Sequence, residues 1–72
     1  MNIGDIIKVN VFPHEEETFT IVGTSTQPLR IASPFIPGGK IVQVKPGKQY
    51  IASKQNEDGT RTFIHIEDKD IV

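Results

Sequence analysis

The chain has 72 residues, a net charge of −1 and no cysteine. A chain of this length forms one domain, so residues 1–72 are taken as a single unit, and such a domain buries only about 60% of the surface its unfolded form would expose. The lack of cysteine excludes disulfides, thiol catalysis and cysteine-ligated metal sites. Isoleucine and valine dominate the apolar residues, which favours strands over helices.

The N-terminal part predicts two strands separated by an acidic loop. Between Ile3 and Phe12 the apolar residues, including Ile7 and Val9, alternate with polar ones, which is the period of a half-buried strand. Residues 13–17 (Pro-His-Glu-Glu-Glu) are predicted as a loop, because proline interrupts a ladder and three successive acids repel one another. Thr18–Val22 alternates again and predicts the second strand.

The middle of the chain predicts short strands joined by proline-glycine turns. A third strand begins at Leu29, and the Pro37-Gly38 pair suits a type I or II turn. The next prediction is a hairpin around Pro46-Gly47, in which Lys40–Lys45 pairs with Gln49–Ser53. The sequence leaves the register of the second arm open, with either Ile51 or Tyr50 and Ala52 facing inward.

The C-terminal part predicts a last hairpin. A polar loop over residues 55–59 leads into a strand over Thr60–Ile66, with Ile64 and Ile66 on one face. Residues 67–72 suit either one helical turn capped by Asp68 or a final short strand. The spacing of the segments predicts an all-β fold, a small antiparallel β-barrel of five or six short strands that is SH3-like or split-barrel-like.

No pattern indicates catalysis or a bound group. His14 and the three acids after it offer ligand atoms, but adjacent residues on a solvated loop cannot all point at one ion. No serine lies in a G-x-S-x-G turn, and Gly38-Gly39-Lys40 is too short for a phosphate-binding loop. We therefore expect a protein that is not an enzyme and that uses no cofactor or metal.

Charge is distributed unevenly along the chain. Residues 1–17 carry −3, residues 18–56 carry +5 with no acid, and residues 57–72 carry −3. The middle segment either forms a basic face or is covered by the acidic ends. If the face is exposed, five cations could bind the backbone of a nucleic acid, with Tyr50 or Phe35 stacking on a base: Arg30, Lys40, Lys45, Lys48 and Lys54.

Three apolar residues fall off the predicted core face: Phe12, Phe35 and Ile36. They either plug the ends of a barrel or form a docking patch. We expect a protein-interaction or accessory module in which an apolar anchor fixes the partner and a basic turn steers an acidic one. The predicted contact residues are Phe35, Ile36, Lys45, Lys48 and Tyr50.

The alternative functions are nucleic-acid binding by the five cations and inhibition of a host enzyme by a phage- or plasmid-encoded protein. No apolar run reaches the roughly 20 residues of a membrane span, and the N-terminus lacks the features of a signal peptide. We therefore expect a cytoplasmic protein without membrane contact. Its state is expected to be a monomer or a weak homodimer.

One set of motifs resembles a known family. The set consists of Ile3-Gly4-Asp5, Leu29-x-Ile31-x-x-Pro34, Gly39-Lys40-x-Val42, Val44-x-x-Gly47, Tyr50-Ile51-Ala52 and Asp58-Gly59-x-x-x-Phe63. It is similar to the N-terminal β domain of flagellar-brake proteins of the PilZ class. There the domain precedes a PilZ domain that binds cyclic di-GMP, with an R-x-x-x-R motif near the junction. This chain has no such motif, since Arg30 and Arg61 are its only arginines, so the resemblance implies an accessory, protein-contacting domain and no nucleotide-binding residue.

Overall fold

The structure is a computed structural model that describes residues 1–32, 35 and 37–72. Its elements are, in chain order, β1 (Ile6–Val11), β2 (His14–Thr24), β3 (Leu29–Ile31), β4 (Lys40–Val42), β5 (Tyr50–Gln55), β6 (Arg61–Ile66) and a 3₁₀ turn (Asp68–Asp70). All strand pairs are antiparallel. The predicted all-β class, with six antiparallel strands, is confirmed.

The strands form a four-stranded sheet in the order β1-β2-β5-β6 and a separate hairpin of β3 and β4. Within the described residues the ladders do not close into a barrel. Among the residues that the structure describes, β6 pairs only with β5, and the outer side of β1 has a single bridge, between Val9 and Ile71. The domain is therefore a sheet with two edge strands, β1 and β6, and a hairpin.

The main core draws on all four strands of the sheet, through the buried residues Ile7, Val9, Phe19, Ile21, Ala52 and Ile66. The alternation predicted for β1 and β2 is confirmed, because the alternate residues of β1 at Lys8 and Asn10 are exposed. Ile64 packs against the same core, as the alternation in β6 predicts. The apolar residues on one face of the sheet thus pack against one another.

β5 lies in the middle of the sheet and is buried on both faces. Tyr50 packs against the main core, whereas Ile51 is buried outside that cluster. Gly23 on β2 allows this close approach, since a Cβ there would lie 3.2 Å from Ile51 Cδ1 and 3.1 Å from the backbone nitrogen of Leu29. The register left open by the sequence is therefore the one with Tyr50 and Ala52 on the main core side.

The predicted hairpin between Lys40–Lys45 and Gln49–Ser53 is wrong. Lys40–Val42 pairs with Leu29–Ile31, and β5 pairs with β2 and β6. The Pro46-Gly47 turn itself forms, with Gly47 at φ +81° and the Lys48 N–H donating to the Lys45 carbonyl at 3.0 Å. A local turn signal predicted the turn, but the residues of β5 suit the centre of a sheet because they can be buried on both faces.

The predicted loop over residues 13–17 is also wrong, because β2 begins at His14. The ladder with β1 accommodates the acidic run through a bulge, in which Val9 faces Glu17 and Asn10 faces Glu15. Glu16 is the additional residue and has a φ of +54°. Repulsion between the acids is reduced because Glu17 bonds Lys54 and His14.

The C-terminal segment combines the two alternatives that the sequence left open. Glu67 caps the 3₁₀ turn, in place of the predicted Asp68, and its N–H donates to Asp70 Oδ2 at 3.0 Å. The chain then reaches the other edge of the sheet, where the Val72 N–H donates to the Lys8 carbonyl at 2.8 Å. A few residues thus connect the β6 edge with the β1 edge, so the sheet curls around its core.

Candidate functional site

A cleft of about 320 Å³ lies between the β1–β2 turn and β6. We call it the β1–β6 cleft, and its lining residues are Val11, Phe12, Pro13, His14, Lys45, Lys48, Phe63, Ile64 and His65. Side chains of a strand alternate between faces, yet three consecutive β6 residues line the cleft. The cleft therefore follows an edge of β6, and it is the free edge because β5 occupies the other one.

Two exposed aromatic side chains border the cleft. Phe12 in the β1–β2 turn is 87% exposed, and Phe63 on β6 is 43% exposed. Val11 and Ile64 lie deeper, since both are partly buried against the main core. Large exposed apolar residues around a concavity are typical of a contact surface, because covering them removes apolar area from water.

The ionisable residues that line the cleft are all basic or neutral: His14, Lys45, Lys48 and His65. The backbone N–H of Lys45 donates to Nδ1 of His65 at 3.2 Å, which holds the 45–48 turn beside β6. Burial, and to a lesser extent the charge of Lys45, lowers the pKa of His65. Neutral His65 keeps Nδ1 available as the acceptor of this bond.

Two acids outside the cleft contact its basic residues. Glu17 bonds His14 Nδ1, and Glu67 Oε2 lies 3.9 Å from Lys48 Nζ. The ammonium of Lys45 has no ion pair among residues 1–32, 35 and 37–72. Lys45 therefore contributes the least compensated positive charge of the cleft.

The predicted protein-contact residues are divided between the cleft and other places. Lys45 and Lys48 line the cleft together. Tyr50 does not: it packs on the main core and donates its hydroxyl to Asp68 Oδ1 at 2.9 Å, which raises the pKa of Tyr50. Phe35 is 90% exposed and is absent from the cleft lining, and Ile36 lies outside the described residues.

The five cations predicted for nucleic acid do not share one face. Arg30 pairs with Ile41 and Lys40 with Ile31 in the β3–β4 ladder, so their side chains leave opposite faces of that hairpin. Lys54 Nζ bonds Glu17 Oε1 at 2.9 Å and lies 5.6 Å from the centroid of the Phe19 ring. Only Lys45 and Lys48 of the five line the cleft.

The cluster around Glu17 belongs to the fold of β2. The bond from Lys54, and then the one with His14, lowers the pKa of Glu17. The His14 ring meets the Phe19 ring edge-on, with centroids 5.4 Å apart. In the described part of the chain, no group of three or more histidine or acidic residues could hold a metal ion.

The sequence reasoning missed Phe63 and His65 as neighbours of the 45–48 turn. The alternation in β6 places both on the face opposite Ile64, but no local pattern predicts that residues 20 positions apart meet. The off-core position of Phe12 was detectable, and the structure adds that it lies at this cleft.

No family model, curated protein or solved structure matches this chain. The resemblance to the flagellar-brake β domain therefore stays a prediction. In the described residues, no helix has the length and apolar character needed to span a bilayer.

Proposed function

We propose that this domain is a non-enzymatic interaction module that holds another protein at the β1–β6 cleft. The observation that carries the proposal is the position of two exposed aromatic rings, Phe12 and Phe63, at a concavity whose ionisable lining is basic. Burying an exposed phenylalanine stabilises a complex by about 1.5–3 kcal/mol. Two such anchors and a basic rim suit a partner that has an apolar contact residue surrounded by acidic residues.

The proposal also includes a finer fold class, SH3-like or split-barrel-like. The path of the C-terminal segment supports it, because the 3₁₀ turn takes the chain from the β6 edge to a bridge with β1. In a barrel-like sheet, the contact between the C-terminal segment and β1 persists in solution. The amide of Val72, which donates to the Lys8 carbonyl, is then expected to exchange with solvent as slowly as amides in β1. Fast exchange of Val72 would contradict the finer class.

Affinity capture from an extract of the native host tests the proposed function. The immobilised domain is expected to retain one dominant protein at physiological salt, and Phe12→Ser is expected to lose it. Ile6→Ser is the matched control, because Ile6 is also an exposed apolar residue of the N-terminal hairpin but does not line the cleft. The proposal would be contradicted if the parent domain, Phe12→Ser and Ile6→Ser retained the same amount of the captured protein, or if no captured protein were dominant. A dominant host enzyme whose activity falls on binding would identify the inhibitor role.

Nucleic-acid binding stays a second prediction, and an NMR titration separates it from protein docking. The labelled domain is titrated with a short single-stranded oligonucleotide at low and at physiological salt. Binding through phosphates weakens steeply with salt, whereas apolar docking changes little. We expect no shifts. Shifts at Arg30, Lys40 and Lys45 that shrink with salt would favour the nucleic-acid function.

A further inference from the structure

We propose that the partner binds as an extended peptide segment that adds a strand to the free edge of β6 and alternates acidic with apolar residues. This inference rests on the proposed function and specifies its ligand. It combines three features of one place: an unpaired strand edge, an apolar concavity beside it and a basic rim.

The edge supplies the backbone contacts. β6 pairs only with β5 in the part of the chain that is described. Alternate residues of an antiparallel edge strand direct their N–H and C=O groups away from the neighbouring strand. Three consecutive residues, Phe63–His65, line the β1–β6 cleft, and we place the cleft on this free side because β5 occupies the other edge of β6. An incoming strand can therefore bond the β6 backbone while its side chains contact the cleft.

The lining selects the side chains. An apolar residue of the incoming strand fits between Phe12 and Phe63, where the deeper wall is Val11 and Ile64. No carboxylate lines the cleft, and the Lys45 ammonium has no ion pair in the described structure. An acidic residue next to the apolar anchor gains the attraction of Lys45 and Lys48, whereas a basic residue there is repelled.

A second copy of the chain fits this edge less well. β6 carries Arg61 and His65 and no acid. Pairing of two β6 edges centred on Phe63 places the Arg61 guanidinium opposite the neutral His65 ring, so Arg61 meets no compensating carboxylate. The charge of Arg61 also disfavours self-association of the edge, which is a common use of charges on edge strands. The occupant that complements this edge is thus acidic.

Selection from a random library of 12-residue displayed peptides, with the full chain as bait at physiological salt, tests the inference. Recovered peptides are expected to alternate acidic with β-branched or aromatic residues, and to shift the NMR signals of Phe63–His65. Recovery of basic or proline-rich peptides, of no enriched peptide, or of peptides that shift only the β3–β4 hairpin would overturn strand addition.

Two further measurements on the recovered peptide separate strand addition from simple docking. N-methylation of amides in one alternating register is expected to weaken binding about tenfold per site, and methylation in the other register to change it little. Lys45→Glu is expected to weaken binding, and Lys8→Glu, an exposed lysine outside the cleft, is the matched control. Binding at the cleft without sensitivity to N-methylation would overturn strand addition and leave the proposed function intact. If the parent chain captures no protein from the host extract, the proposed function itself is wrong. If the chain forms a concentration-dependent dimer through β6, the occupant of the edge is a second copy of the chain and not a peptide.

Discussion

Replacing Ile7 by alanine, with Ile6→Ala as its control, tests the inward phase of β1. The two residues are adjacent and identical in chemistry, yet Ile7 is 8% exposed and Ile6 is 74% exposed. Truncating a buried side chain leaves a cavity and removes the free energy gained by transferring its apolar atoms out of water. Truncating an exposed side chain does neither to a large extent. The register of β1 with β2 determines which of the two isoleucines faces the core, because a shift by one residue would exchange their faces.

The expected magnitudes differ severalfold. Alanine substitution of a buried isoleucine costs about 2–5 kcal/mol, and Ile7 is expected in the lower half of that range because part of it touches solvent. The control should stay within about 0.5 kcal/mol of the parent, as surface substitutions do. A chain of this size has a free energy of unfolding of about 4–11 kcal/mol, so Ile7→Ala removes a large share of it.

Thermal and urea unfolding, both followed by circular dichroism, measure the stability of the two variants. A loss of 1 kcal/mol lowers the Tm of such a small domain by about 4–8 °C, so Ile7→Ala, which loses about 2–3.5 kcal/mol, should have a Tm about 8–28 °C lower. The slope of free energy against urea concentration should stay unchanged if the fold is retained. Equal losses in the two variants, or a larger loss for Ile6→Ala, would refute the assigned phase of β1 and the core built on it.

Three further predictions follow from single interactions. Gly39→Ala should destabilise the domain more than Gly38→Ala in thermal unfolding: both glycines have φ +80°, but a Cβ at Gly39 would lie 2.5 Å from a β3 carbonyl oxygen and one at Gly38 meets no atom within 4 Å. Tyr50, the single tyrosine, should ionise above the ordinary pKa of 10 in an absorbance titration, and Asp68→Ala should lower that pKa by removing the hydrogen bond; an unchanged value contradicts the bond. The pKa of Glu17 is lowered in the folded state, so its stabilising effect is present above the unfolded pKa of about 4.5 and is lost as pH falls through the folded value. Glu17→Gln should therefore reduce stability at pH 7 and make little difference at pH 2, in denaturant titrations at both pH values.

Periodicity predicted the parts of the fold that depend on neighbours in the chain. The alternation at Ile7 and Val9, and again at Phe19 and Ile21, selects the inward faces of β1 and β2. The polar loop before β6 was also predicted, and it closes through a bond from the Asn56 N–H to the Thr60 carbonyl at 2.7 Å. These features need only a pattern and a turn, both of which are local.

Strand pairing and the site could not be predicted because they depend on distant contacts. β4 and β5 both contain β-branched residues, and nothing local states that β4 pairs with β3 while β5 pairs with β2 and β6. The start of β2 was missed because Glu17 is compensated by Lys54, 37 positions away. The contact between Lys45 and His65, which positions the basic turn at the cleft, is likewise invisible to a window of ten residues.

The charge pattern explains why the cleft, and not the whole basic segment, is the proposed contact surface. The sequence allowed the acidic ends to cover the basic middle, and in part they do: Glu17 from the N-terminal segment pairs with Lys54, and Glu67 from the C-terminal segment lies near Lys48. Each phosphate contact with a single strand contributes about −0.7 to the slope of log affinity against log salt, so five free cations would give a slope of about −3.5. A cleft in which Lys45 is the least compensated charge predicts a much weaker salt dependence for an acidic partner, because few exposed charges take part. A shallow salt dependence combined with a strong effect of Phe12→Ser is therefore the joint signature of an apolar anchor steered by a small basic rim.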